Sequence, residues 1–134
     1  DHSIYAMGVP EPGWSLSSLK NLSGLKLAVW LACYSATWEP TYGGIAQMTT
    51  NLQAKCSVGW PGTVSYTKND PGSVSRAWVT RLYQALVFGI GTGRPPASVD
   101  EALRYADDTE DCGLHDLDRH VRFGDGGIRI APLN

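Results

Sequence analysis

The chain has 134 residues, 43% of them hydrophobic and 18% charged. That length suits one domain with a core of its own, and the composition reads as globular and argues against disorder. Eleven basic against thirteen acidic side chains leave a net charge of −2, which excludes the clustered Lys and Arg that bind nucleic-acid phosphates.

The longest apolar run, Leu25 to Cys33, is broken by Lys26 and is far shorter than the roughly 20 residues of a membrane span. Asp1-His2-Ser3 opens no basic and apolar leader, so neither a signal peptide nor a membrane partner is expected. Three cysteines, Cys33, Cys56 and Cys112, do not make a disulfide framework and have no zinc-knuckle spacing. Reduced thiols and a cytoplasmic location are the expectation.

In chain order, Ser3 to Met7 suits a short strand and Ser15 to Leu22 a short helix, with Leu16, Leu19 and Leu22 on one face. Leu25 to Cys33 is nearly continuous in apolar residues, as a strand buried on both faces of a parallel sheet would be. Ile45, Met48 and Leu52 recur at helical spacing up to Lys55. Cys56 to Trp60 reads as a second strand, which Pro61-Gly62 ends. Asp70-Pro71 offers a helix N-cap followed by proline at the first helical position, and Val74, Trp78, Leu82 and Leu86 continue that helix to Gly89. Ser98 and Glu101 form a capping box for a helix to about Ala106. Six acidic residues between Asp107 and Asp118 read as an exposed loop. Val121-Arg122-Phe123 and Ile128-Arg129-Ile130 read as two arms of a hairpin, or as one interrupted strand, around Gly124 to Gly127. The order points to one α/β domain, a mostly parallel sheet covered by helices. Its strands are few for a doubly wound sheet, so part of a larger sheet is expected outside this chain.

Cys33 is the chief chemical candidate. It ends the long apolar strand, where open parallel sheets place their ligand crevices. A thiolate there would be a nucleophile given a nearby imidazole; the other reading is a core cysteine. Trp60 suits either a pocket wall or packing, and Asp70 either the helix cap or a pocket that selects Lys or Arg. The acidic stretch lacks the ordered spacing of a calcium loop, and Gly124 to Gly127 lacks the Lys-Ser/Thr of a phosphate loop. No metal site is expected. His115 and His120 read as surface or loop histidines.

Leu27-Ala28-Val29-Trp30-Leu31-Ala32-Cys33-Tyr34-Ser35 resembles the nucleophile strand of the caspase–hemoglobinase-fold cysteine peptidases. Ile45 to Leu52, Cys56 to Trp60 and Val74 to Gly89 resemble the helix, strand and helix that follow it. The likeness runs from Leu25 to Ala106 and points to clostripain-like and prokaryotic caspase-like domains. Leu31 and Ser35 stand where the local caspase signature has Gln and Gly.

The resemblance implies a caspase-like three-layer sandwich, of which this chain is the C-terminal part. It implies peptide-bond hydrolysis through a thioester on Cys33, with a peptide or protein substrate and no cofactor. The catalytic histidine would be His2, where Ser3 replaces the family's glycine, or a residue outside this chain. Trp60 and Asp70 would face the substrate. The missing N-terminal half or a second copy would be the partner. The rivals are a non-catalytic interaction module of the same fold and a flavodoxin-like domain that binds a small ligand.

Overall fold

A computed structural model describes residues 5–6, 9–10, 21–38, 44–64 and 73–132. It is an α/β structure that divides into two compact units, Asp1–Thr63 with His120–Gly124, and Val64–Arg119 with Asp125–Asn134. His2 and Asp70 lie outside the described residues, as does most of the expected Ser15 to Leu22 helix.

In the first unit, β1 (Tyr5–Ala6) and β2 (Val9–Pro10) pair antiparallel. A three-stranded sheet is built from β3 (Leu27–Val29), β4 (Cys56–Gly59) and β5 (Val121–Gly124), in that order. β3 runs parallel to β4, with Leu27 opposite Cys56, and β5 runs antiparallel to β4, with Gly59 opposite Val121. The expected mostly parallel sheet is therefore mixed among the described residues.

The expected doubly buried strand is also displaced. β3 is three residues long and half-buried, whereas all four residues of β4 are buried. Position decides this: β4 is flanked by a strand on each side, and β3 is at the sheet's edge. The small side chains of β4 allow α1 (Ile45–Asn51) to lie close, and the Ser57 hydroxyl donates to the Ala46 carbonyl of that helix. α1 ends sooner than its apolar spacing suggests. Leu52 caps it, Gln53 turns the chain at φ 81°, and Lys55 donates its N–H to the Leu25 carbonyl.

Gly59, at the end of β4, has no room for a side chain. A Cβ there would lie 2.8 Å from the Ala46 Cβ and 2.9 Å from the Ser35 Oγ. On the helix side, Trp30 donates its indole N–H to Thr49 Oγ1 at 2.9 Å, and Thr49 Oγ1 donates to the Ile45 carbonyl at 2.7 Å.

The second unit is held by α2 (Val74–Phe88) against α3 (Val99–Asp107). Trp78, Leu82, Ala85 and Leu86 of α2, and Val99, Ala102, Leu103 and Ala106 of α3, are buried. α2 is capped by Ser73, whose hydroxyl accepts the Arg76 N–H, and not by Asp70 as the Asp-Pro pair suggests. It ends at Gly89, whose φ of 87° places the chain in a region that favours glycine.

The Ser98–Glu101 capping box is present, with the Glu101 N–H on Ser98 Oγ at 3.3 Å and the Ser98 N–H on Glu101 Oε2 at 3.2 Å. Two more N–H groups of the first turn, those of Val99 and Asp100, reach the carbonyls of Ile128 and Gly126. The expected second hairpin arm is thus spent on closing a helix end. Gly124, the last residue of β5, is at φ 80°, and β5 pairs with β4 instead. Ser98→Ala removes the side-chain acceptor of this cap and is expected to cost about 1 kcal/mol, read as a lower urea midpoint with an unchanged m-value.

The acidic stretch is more structured than the expected loop. It forms two 3-10 turns, Cys112–His115 and Leu117–Arg119, entered through Asp111 and Asp116 in the left-handed region. Cys112 and Leu117 are buried beneath it, which accounts for its fixed shape despite the charge. No helix among the described residues is long and apolar enough to cross a membrane.

Candidate functional site

Cys33 lies four residues beyond the end of β3, in a turn over residues 33–36, and its side chain is exposed. The expected place at the end of a buried strand becomes a place on a turn that follows a half-buried one. The apolar run continues through Trp30, whose N–H still reaches the Val58 carbonyl at 2.9 Å. After it the chain folds back: Ala32 donates to the Trp30 carbonyl at 2.7 Å and Ser35 to the Ala32 carbonyl at 3.3 Å. Tyr34 turns the chain at φ 58°, an uncommon conformation for an aromatic residue. Tyr34, next to the thiol in sequence, and Trp38 are 54% and 53% exposed.

The turn is fastened to the segment after β4. The Tyr34 N–H donates to the Gly62 carbonyl at 2.8 Å, the Ala36 N–H to the Trp60 carbonyl at 2.9 Å, and Thr37 Oγ1 to the Pro61 carbonyl at 2.5 Å. Ser35 is 3% exposed. Its hydroxyl donates to the Trp30 carbonyl at 2.7 Å and accepts the Trp60 N–H at 2.9 Å, while its own carbonyl accepts the Ala46 N–H at 3.0 Å. In the sequence Ser35 stands out only as the residue in place of the caspase signature's glycine, and a lone serine two positions after a cysteine carries no periodic signal that it faces inward.

Of the residues expected at the site, Trp60 is brought to the Cys33 turn through its backbone. Its ring is fully buried and meets His120 edge-on, with centroids 6.2 Å apart and planes at 82°. His120, expected as a surface or loop residue, is half-buried at the head of β5. The ladder places it there, since Val121 pairs with Gly59 and the next residue on each strand is His120 and Trp60.

The three thiols differ sharply. Cys56 is fully buried in β4. Cys112 is buried and donates its S–H to the Asp107 carbonyl at 3.1 Å. Burial pushes its thiol pKa up, and the carboxylates of Asp118, Asp107 and Asp108 push it further, so Cys112 stays protonated and unreactive at neutral pH. Cys33 is the thiol that solvent reaches. Among the described residues no group of three or more His, Cys, Asp or Glu is placed to hold a metal ion. Comparison with protein-family models, curated proteins and solved structures gave no match.

Proposed function

We propose that this chain is the nucleophile-bearing part of a caspase-like cysteine peptidase, a cytoplasmic enzyme that acts on peptide or protein substrates. What supports this is one juxtaposition: an exposed thiol on a turn fastened by five hydrogen bonds of Tyr34, Ser35, Ala36 and Thr37 to the ends of the parallel strands β3 and β4. A nucleophile benefits from being held by rigid backbone while facing solvent.

In this reaction the Cys33 thiolate attacks the carbonyl carbon of the scissile peptide bond. The C–N bond breaks, and the leaving amine takes a proton from an imidazolium. The thioester on Cys33 is then attacked by water that gives its proton to the imidazole, and the carboxylic acid leaves as the thiol is restored. The histidine is His2 or a residue supplied by polypeptide outside Asp1 to Asn134. The N–H groups of Ala32, Tyr34, Ser35 and Ala36 are bonded to carbonyls of the chain, so the oxyanion is served by the N–H that follows the histidine. Trp60 acts by anchoring the turn, through its N–H and carbonyl. Beyond β3, the edge of the sheet among the described residues, the remainder of the larger sheet or a second copy adds its strand.

The test is hydrolysis of fluorescein-labelled casein by the intact gene product. Cys33→Ala is expected to lower the rate at least about 100-fold, and Cys112→Ala to leave it unchanged. Casein hydrolysis that survives Cys33→Ala, or an inactive unaltered protein, overturns the proposal.

A further inference from the structure

We propose that Ser35 is a positioning residue for the Cys33 thiol, acting through the backbone of the turn; this rests on the peptidase reading above. The turn meets the rest of its unit on two sides, the chain leaving β3 and the chain leaving β4. Ser35 is the side chain that joins both, donating to the Trp30 carbonyl and accepting the Trp60 N–H. Its carbonyl adds a third anchor, the N–H of Ala46 in the first turn of α1. Three elements therefore converge on the residue two positions after the nucleophile.

The space supports the same role. The hydroxyl lies against Gly59, at 2.9 Å from where a Cβ would stand, so the missing side chain of β4 is what lets it in. Taking the hydroxyl away removes the acceptor of the Trp60 N–H and a donor from the Trp30 carbonyl, which keeps the Ala32 N–H, and this favours local rearrangement of the turn. Cys33 itself is exposed. The bonds of the turn contribute to its position, and displacing a reacting atom by about 1 Å costs on the order of 100-fold in rate.

Three variants of the intact gene product separate this from a general loss of stability. Ser35→Ala removes the clamp. Ser57→Ala removes another buried hydroxyl of the same unit, one bonded to the Ala46 carbonyl and not to the turn. Cys33→Ala tests the peptidase reading by itself. With fluorescein-labelled casein, Ser35→Ala is expected to lower kcat about 10- to 100-fold with KM within about twofold, and Ser57→Ala to change both less than about twofold.

Labelling Cys33 with bromotrifluoroacetone gives a readout that does not depend on turnover. A single narrow 19F resonance is expected for the unaltered chain and for Ser57→Ala, and a broadened or doubled one for Ser35→Ala. Should Ser35→Ala fail to fold, amide hydrogen exchange on the unaltered chain decides: the Trp60 N–H should exchange as slowly as that of Val58 in β4. Equal kinetic effects of Ser35→Ala and Ser57→Ala, an unchanged 19F line, or a fast Trp60 amide overturns the positioning role. Casein hydrolysis that survives Cys33→Ala overturns the peptidase reading instead.

Discussion

Trp78→Ala should destabilise the chain by about 3–5 kcal/mol, the range for removing a fully buried large aromatic. Trp78 has no solvent exposure, and it sits on the face of α2 that packs on α3. Its indole N–H also donates to Asp107 Oδ1 at 3.0 Å, joining α2 to the end of α3. Truncation to alanine opens a cavity between the two helices and removes a donor from a carboxylate, so both effects have the same sign. Trp78→Phe keeps most of the packing and loses the hydrogen bond, and should cost about 1–3 kcal/mol. Urea denaturation followed by circular dichroism at 222 nm reports these helices directly. A loss below about 1 kcal/mol for the alanine variant would contradict the buried, bonded position of this ring.

Gly59→Ala should cost about 1–3 kcal/mol although it adds one methyl group. The added carbon would stand 2.8 Å from the Ala46 Cβ, 2.9 Å from Ser35 Oγ and 3.0 Å from the Ala36 nitrogen, closer than atoms of these types pack. Helix α1 and the Cys33 turn would both have to move away from β4. A double-mutant cycle with Ala46→Gly reads this contact: the helix variant alone should cost about 1 kcal/mol from helix propensity. In the Gly59→Ala background it should cost less, because it relieves one of the three overlaps. Equal costs in both backgrounds would mean that β4 and α1 do not touch there.

Local chemistry was legible in the sequence, and partner choice was not. The Ser98–Glu101 box and the fourfold spacing of Trp78, Leu82 and Leu86 correspond to the observed cap and buried face, because a helix is specified by residues three and four apart. The sheet escaped because a strand's neighbours lie anywhere in the chain. Val121 to Phe123 alternates as a strand does, yet its partner is Cys56 to Gly59 and not the nearby Ile128 to Ile130. Strand burial followed place in the sheet more than hydrophobicity: Leu27 to Val29 is the more apolar segment and the less buried one.

At the candidate site, Cys33 stood out as a residue type at the end of an apolar run. The inward hydroxyl of Ser35 and the edge-on contact of Trp60 with His120 depend on non-local hydrogen bonds and pairing that no short pattern encodes.

The pairing of β5 with β4 has a bearing on how the polypeptide is made. The first unit takes its third strand from residues that follow the whole of α2 and α3. During synthesis, Cys56 to Gly59 emerges from the ribosome long before Val121 to Gly124. For that interval β4 lacks one of its two neighbours, and its backbone is open to pairing with another nascent chain. Closing so long a loop is also slow relative to forming the α2 and α3 contacts, which are close in sequence. The α2 and α3 pair is therefore ready to form first, and β4, whose following residues hold the Cys33 turn, gains its second neighbour only when Val121 to Gly124 arrives.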